Sequence, residues 1–336
     1  MPIVRAGLPP LLIALVAIAG CTGLEPPAPR PRALPEVECA SGAAPPAIAG
    51  PAGRSIQIAA LGDAGEGPEE RGSHLNATIA AVKKLGTVDA VLLLGDNVYR
   101  CGVRDTADPN WQRVIAPLFA IGRPVYPVLG NHDWGSKATP GCTFSNPEAQ
   151  IAKTGQPGFE QWQFPAANYV VRTDVAELVM FDSSPIAYSW PEQRSDPLCA
   201  LRAVLARPKT TPWRVVVAHH PMYSCGDHGN DQSTLTLRAA LHELFESSGV
   251  DLYLTGHDHD LEIASAPGRT MHVVSGSASK IRKRGAKCRE GESFRIEGGF
   301  ALLDVSDDAL DVRFYCNGES EPCIERSITP REPSLQ

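Results

Sequence analysis

The chain has 336 residues, of which 43% are hydrophobic and 21% charged. That balance excludes an intrinsically disordered protein and provides apolar material for one large α/β domain or two small ones. A formal net charge of −7 excludes the basic balance of a typical nucleic-acid binder, so no nucleic-acid-binding surface is expected.

From the N-terminus, Arg5 precedes the apolar run Leu11 to Ala19, which has signal-peptide length and is too short to span a bilayer. It ends in Ile18-Ala19-Gly20-Cys21, and small residues before a cysteine resemble a bacterial lipoprotein signal. The resemblance implies a signal peptide over 1–20, a lipid on Cys21 and an exported protein. Thr22, where Asp would retain a lipoprotein, points to the outer membrane. Residues 21–54 are rich in Pro and Ala and read as a lipidated linker. One catalytic domain is expected over 55–330 and a tail over 331–336. Membrane contact is expected through the lipid alone, and the protein is expected to be a monomer.

The domain repeats one pattern. A short apolar strand ends, and a residue able to bind metal follows. Ile56 to Leu61 leads to Gly62-Asp63-Ala64-Gly65, and Val91 to Leu94 leads to Gly95-Asp96-Asn97-Val98-Tyr99. Val125 to Leu129 leads to Gly130-Asn131-His132-Asp133. Arg214 to Ala218 leads to His219-His220-Pro221, and Leu252 to Leu254 leads to Thr255-Gly256-His257-Asp258-His259. Helical patterns over 69–85, 110–120, 198–206 and 233–248 fill the gaps. Strands alternating with helices build an α/β sheet, which gathers function at the carboxyl ends of its strands.

Each motif alone is weak, because Gly-Asp after a strand is often only a turn and a lone His is usually structural. The ordered set carries the argument, and it resembles the calcineurin-like metallophosphoesterases. The usual first motif of that superfamily is Asp-x-His, but here it is Asp63-Ala64-Gly65. Purple acid phosphatases lack the same histidine and carry Gly-Asp-x-x-Tyr, which Gly95 to Tyr99 matches. The likeness is greatest to the small, tartrate-resistant type and runs from about residue 56 to 329. Further matches are Phe164-Pro165 with Tyr169, Asp227-His228-Gly229, Ser275-Gly276 and Gly298-Gly299-Phe300-Ala301.

The resemblance implies a four-layer α-β-β-α sandwich of two mixed sheets. It implies Fe(III) on Asp63, Asp96, Tyr99 and His259, and a divalent ion (Fe, Zn or Mn) on Asp96, Asn131, His219 and His257, with Asp96 bridging. His219 is preferred to its neighbour His220 because the ligand precedes x-Pro. Small phosphate monoesters would be hydrolysed by metal-bound hydroxide, with His132 and His228 assisting the leaving group and Asp133 orienting His132. The donor set suits this chemistry, since carboxylates and phenolate favour a hard trivalent ion and imidazoles a divalent one. One rival is a phosphodiesterase or nucleotide hydrolase with two divalent ions, which Tyr99 and Gly65 count against. The other is a non-catalytic, surface-binding lipoprotein on a degenerate scaffold, which the complete donor set counts against.

Three features remain. With Cys21 lipidated, eight of the nine cysteines are left, and no Cys-x-x-Cys pair exists, so disulfides are expected. Cys316 and Cys323 flank a turn between strand-like runs 309–315 and 323–329 and should pair, while the other pairings stay open. The basic run 280–289 follows the His-x-His strand and reads either as an anion-attracting rim or as a solvated loop. Loop 183–197 lies where the family keeps a loop over the site.

Overall fold

A computed structural model describes residues 39, 44–190, 195–282 and 293–330. The signal peptide, Cys21, the rest of the basic run beyond Arg282 and the tail 331–336 lie outside the described residues. Among those described, no helix is long and apolar enough to cross a membrane.

Fourteen strands form two mixed sheets. They are β1 (Ala47–Ala49), β2 (Ser55–Leu61), β3 (Ala90–Leu94), β4 (Val125–Val128), β5 (Tyr169–Arg172), β6 (Ala176–Met180), β7 (Trp213–Val217), β8 (Leu252–Thr255), β9 (Leu261–Ala264), β10 (Met271–Ser275), β11 (Ser293–Arg295), β12 (Gly299–Ser306), β13 (Leu310–Cys316) and β14 (Ile324–Ile328). The smaller sheet has the order β14-β13-β12-β2-β3-β4, and the larger β1-β5-β6-β7-β8-β10-β9-β11. Strands β2, β3 and β4 are parallel, as are β6, β7 and β8, so their carboxyl ends line up within each sheet. The helices are α1 (Leu75–Leu85), α2 (Glu148–Ile151), α3 (Ser184–Ala187), α4 (Ser195–Leu205) and α5 (Gln232–Ser247).

Side-chain alternation along the larger sheet explains the layering. Val171, Leu178, Met180, Val215, Val217, Leu252 and Leu254 join one large core with the smaller sheet. Their neighbours Val170, Val179, Val216 and Tyr253 point the other way, into a second core with Ile186, Leu201, Leu237, Leu241 and Phe245 of the helices α3, α4 and α5. Helix α1 puts Leu75, Ile79 and Val82 into the large core. At about 25 cal/mol per Å² of apolar area, such two-faced burial is the main stabilising force. Polar bonds set how the sheets dock. Trp213 Nε1 donates to Ser306 O at 2.6 Å, Tyr169 Oη to Pro127 O at 2.8 Å, and Ser275 Oγ to Ala60 O at 2.8 Å.

Three expectations need correction. The domain begins before residue 55, because β1 lies within the stretch read as linker and pairs in parallel with β5. Pro45 and Pro46 cannot enter a helix, but they hold the chain extended for an edge strand. The segment 110–120 is not an α-helix. It forms a π-turn (Trp111–Ile115) and a 3-10 helix (Ala116–Ile121), because Pro117 lacks the N–H that an α-helix would donate to Arg113. The first helix starts at Leu75 rather than 69, after a stretch of turns.

The Cys316–Cys323 disulfide is present, closing the β13–β14 hairpin. Two pairings left open by the sequence are Cys39–Cys199, which ties the N-terminal segment to α4, and Cys101–Cys142. Cys225 is also disulfide-bonded.

Candidate metal centre

The carboxyl ends of five strands converge where the two sheets meet. From the smaller sheet, the loops after β2, β3 and β4 deliver Asp63, Asp96 with Tyr99, and Asn131. From the larger, the loops after β7 and β8 deliver His219, and His257 with His259. Asp63, Asp96 and His257 have φ of 56°, 52° and 71°. Left-handed backbone at a non-glycine residue costs on the order of 1–3 kcal/mol and persists where the surroundings impose it.

Two groups of donor atoms result. In the first, Tyr99 Oη lies 2.8 Å from Asp63 Oδ1 and 3.1 Å from His259 Nε2, which is itself 3.2 Å from Asp63 Oδ1. In the second, His219 Nε2 lies 3.1 Å from Asn131 Oδ1, 3.1 Å from His257 Nδ1 and 3.4 Å from Asp96 Oδ1. Donor atoms of Asp63, Asp96 and His219 all lie within 4.8 Å of one another, which joins the two groups through Asp96.

The chemistry of this set fits bound cations. Leu94 O can only accept, so at 2.8 Å it fixes the proton of His219 on Nδ1. Its Nε2 faces the Asp96 carboxylate and His257 Nδ1, and although burial works against a charged ring, Asp96 and Asp63 outweigh it and hold His219 above the usual histidine range. Burial, with the neighbouring histidines, holds His257 well below the usual histidine range, so its ring is neutral. Burial, then the charges of Asp63 and Asp96, pushes the Tyr99 phenol well above its ordinary value. A phenolate there needs a strong Lewis acid. Burial also raises the Asp63 carboxyl, but His259 and His219 outweigh it and keep the group low, in its anionic form.

Glycines make the close approach possible. A Cβ on Gly65 would stand 2.5 Å from Asp96 O, 2.7 Å from Tyr99 N and 3.0 Å from Tyr99 Cδ2. Any side chain at 65 would therefore collide first with the backbone of the loop that carries Asp96 and Tyr99, and then with the Tyr99 ring. Gly95 has a φ of 84°, and a Cβ there would stand 2.6 Å from His219 Nδ1.

The remaining expected site residues lie around this centre. His132 Nδ1 is 2.7 Å from Arg100 O, so it carries the proton there, and Nε2 lies 3.9 Å from Asp96 Oδ2. His228 lies against His257 with ring centroids 4.3 Å apart and the rings tilted by 31°; its Nδ1 is 2.6 Å from Asp231 Oδ2 and its Nε2 meets the Arg282 guanidinium. His220 is buried beside His219 and His257, with Nδ1 2.9 Å from Ser183 Oγ and Nε2 without a partner. Its ligand atom lies within 4.8 Å of those of His219 and His257. Asp133 does not orient His132. Its carboxylate accepts from the backbone N–H of Asn97, Val98 and Gly130 and from Gln150 Nε2, so it fixes the two ligand loops to each other. Burial, then the charge of Asp96, pushes its carboxyl up to about 6 against those hydrogen bonds.

A cavity of about 520 Å³ opens over the centre, lined in part by Asp96, Asn131, His132, His257, His228 and Arg282. Tyr188 and Ser189 from loop 183–197 and Asp231 at the start of α5 line it as well. Sequence reading singled out neither Tyr188 nor Asp231. Asp231 carries no motif, and only its place before α5 marks it as a helix-start residue. The other histidines are structural. His74 precedes α1, His242 meets the Tyr223 hydroxyl at 3.3 Å, and His272 is buried between the rings of Tyr223 and Tyr253.

Comparison with known proteins agrees with this geometry. Residues 56–261 match the family described as Calcineurin-like phosphoesterase. Purple acid phosphatase 3 of Arabidopsis thaliana is 27% identical over 285 residues, covering 78% of this chain and 74% of that protein. Tartrate-resistant acid phosphatase type 5 of Mus musculus is 25% identical over 318 residues, covering 83% and 91%. Among solved structures, GAP50, described as the anchor in the inner membrane complex of Plasmodium, superposes with a TM-score of 0.70 at 21% identity, covering 84% of this chain and 91% of that one. That last likeness is one of fold.

Proposed function

The chain belongs to the calcineurin-like phosphoesterase family, and from that premise we propose that it is an acid phosphatase of the purple, tartrate-resistant type. Its substrates are small phosphate monoesters. Its cofactors are one ferric ion, held by Asp63, Asp96, Tyr99 and His259, and one divalent ion (Fe, Zn or Mn), held by Asp96, Asn131, His219 and His257. The single observation that carries the reading is the Gly65–Tyr99 exchange. A phenol hydroxyl stands 2.8 Å from Asp63, on a loop whose backbone and tyrosine ring pack so closely on Gly65 that a Cβ there would stand 2.7 Å from Tyr99 N and 3.0 Å from Tyr99 Cδ2.

When bound, the two ions supply Lewis acidity and the positive charge that offsets a phosphate dianion. The protein supplies orientation and a proton. With Nδ1 held by Arg100 O, a protonated His132 has its Nε2–H free to face the cavity. As the ester P–O bond breaks and a water oxygen bonds to phosphorus, the leaving alkoxide takes that proton. A proton from the water restores His132, and alcohol and inorganic phosphate leave.

The reading extends to an exported monomer tethered by lipid on Cys21, in the outer membrane, with no nucleic-acid partner. Disulfides at Cys39–Cys199, Cys101–Cys142 and Cys316–Cys323 suit the oxidising compartment such a protein occupies. Purified protein holding two metal equivalents should hydrolyse aryl and alkyl phosphate monoesters at acidic pH and lose activity on chelation. A strong preference for diesters would overturn the reading in favour of a phosphodiesterase.

A further inference from the structure

We infer that Arg282 binds the phosphoryl group of the substrate, with His228 and Asp231 as its positioning residues; the inference rests on the phosphatase reading above and adds a substrate contact to it. The hydrogen bonds run in one direction. The Asp231 carboxylate, 2.6 Å from His228 Nδ1, accepts, so that nitrogen carries the proton. His228 Nε2 is then a bare acceptor, and the Arg282 guanidinium that meets it can only donate.

His228 is itself fixed. Its ring lies on His257 at 4.3 Å, and its backbone N–H donates to Asp258 Oδ1 at 3.0 Å. The backbone N–H of Arg282 reaches His259 O at 3.4 Å. The guanidinium is thereby tied to the loop that carries two candidate metal ligands, in the wall of the cavity over the centre.

Among the described residues no carboxylate forms an ion pair with Arg282. Its neighbour Lys280 differs, since its ammonium pairs with Glu66 at 2.9 Å and lies over the Tyr99 ring. A guanidinium has five donors in a planar fork, and one bond to His228 leaves a fork edge for the oxygens of a phosphate. Holding His228 as an acceptor for Arg282 also leaves proton delivery to His132.

The test uses metal-loaded wild type, Arg282→Gln, Arg282→Lys and, as a control for overall charge, Arg54→Gln, which alters an exposed ion pair with Asp307. The probes are an aryl phosphate monoester and inorganic phosphate as inhibitor. Arg282→Gln should raise KM and the phosphate inhibition constant together, about tenfold to a hundredfold, with a smaller change in kcat and unaltered metal content. Arg282→Lys should recover part of that loss, and Arg54→Gln should leave both constants unchanged. Asp231→Asn should raise KM less, and should add nothing to KM in an Arg282→Gln background. Unchanged KM and inhibition constant in Arg282→Gln would overturn the inference, and so would loss of metal from that variant. An inactive wild type that keeps its metals would instead overturn the phosphatase reading itself.

Discussion

The two sheets make unequal contributions to the centre. The loops of the smaller sheet present oxygen: the carboxylates of Asp63 and Asp96, the phenol of Tyr99 and the amide of Asn131. The loops of the larger present nitrogen: the imidazoles of His219, His257 and His259. Each donor group therefore draws on both sheets, and neither sheet holds a complete group alone. The site is a product of docking, and the bonds that set the docking, such as His219 Nδ1 to Leu94 O, are part of it. The difference also sorts the chemistry. Hard oxygen donors gather around Asp63 and nitrogen donors around His219, which is the asymmetry a trivalent and a divalent ion would use.

This comparison can be broken from either side. Asp96→Asn, from the smaller sheet, and His219→Ala, from the larger, should both lose metal and activity. The losses should exceed the ~10–100-fold typical of partners outside the donor set. Elemental analysis beside kcat/KM checks this. If either variant kept both metals, the two-sheet account would fail at that position.

A smaller effect is expected at the seam. Gly65→Ala places a Cβ 2.5 Å from a backbone oxygen of the opposing loop. It should lower stability by about 1–3 kcal/mol and displace Tyr99. Denaturant unfolding would measure the first effect and iron content the second. A stable Gly65→Ala with normal iron would show that the close approach of these loops is dispensable.

A last effect lies away from the centre and depends on pH. Burial, with some help from His242, holds the His272 imidazole down to about 3 against an ordinary 6.5. Neither of its ring nitrogens has a hydrogen-bond partner. The unfolded chain then binds a proton that the folded chain refuses, so stability falls as pH drops from about 6.5 towards 3. His272→Phe should flatten that part of the stability curve, as followed by unfolding at pH 7 and pH 4. Equal slopes for wild type and variant would show that this histidine does not govern acid sensitivity.

What the sequence revealed, and what it did not, follows from range. Strand ends were legible because buried parallel strands are continuous apolar runs, and the polar residue after each is local to it. The seven candidate metal-binding side chains were nameable for that reason, and the structure brings them into one place. The β1 strand was hidden because three residues after two prolines carry no periodicity. The irregular segment 111–121 kept a helical pattern of side chains while Pro117 removed the bond that would make it an α-helix. Asp133 was misjudged because adjacency to His132 says nothing about where a carboxylate turns. Its partners at Asn97, Val98 and Gln150 are brought near only by the fold. Arg282 stood in the sequence as one cation among several, and the Asp231–His228 pair that distinguishes it lies about fifty residues away along the chain.

The central claim is that Tyr99, on the loop packed against Gly65, binds a ferric ion. The most direct measurement is the visible absorption spectrum of the mildly oxidised protein, recorded beside that of Tyr99→Phe. The account predicts a purple charge-transfer band in the wild type that Tyr99→Phe abolishes. A colourless wild type that holds two metals, or a band that survives in Tyr99→Phe, would contradict it.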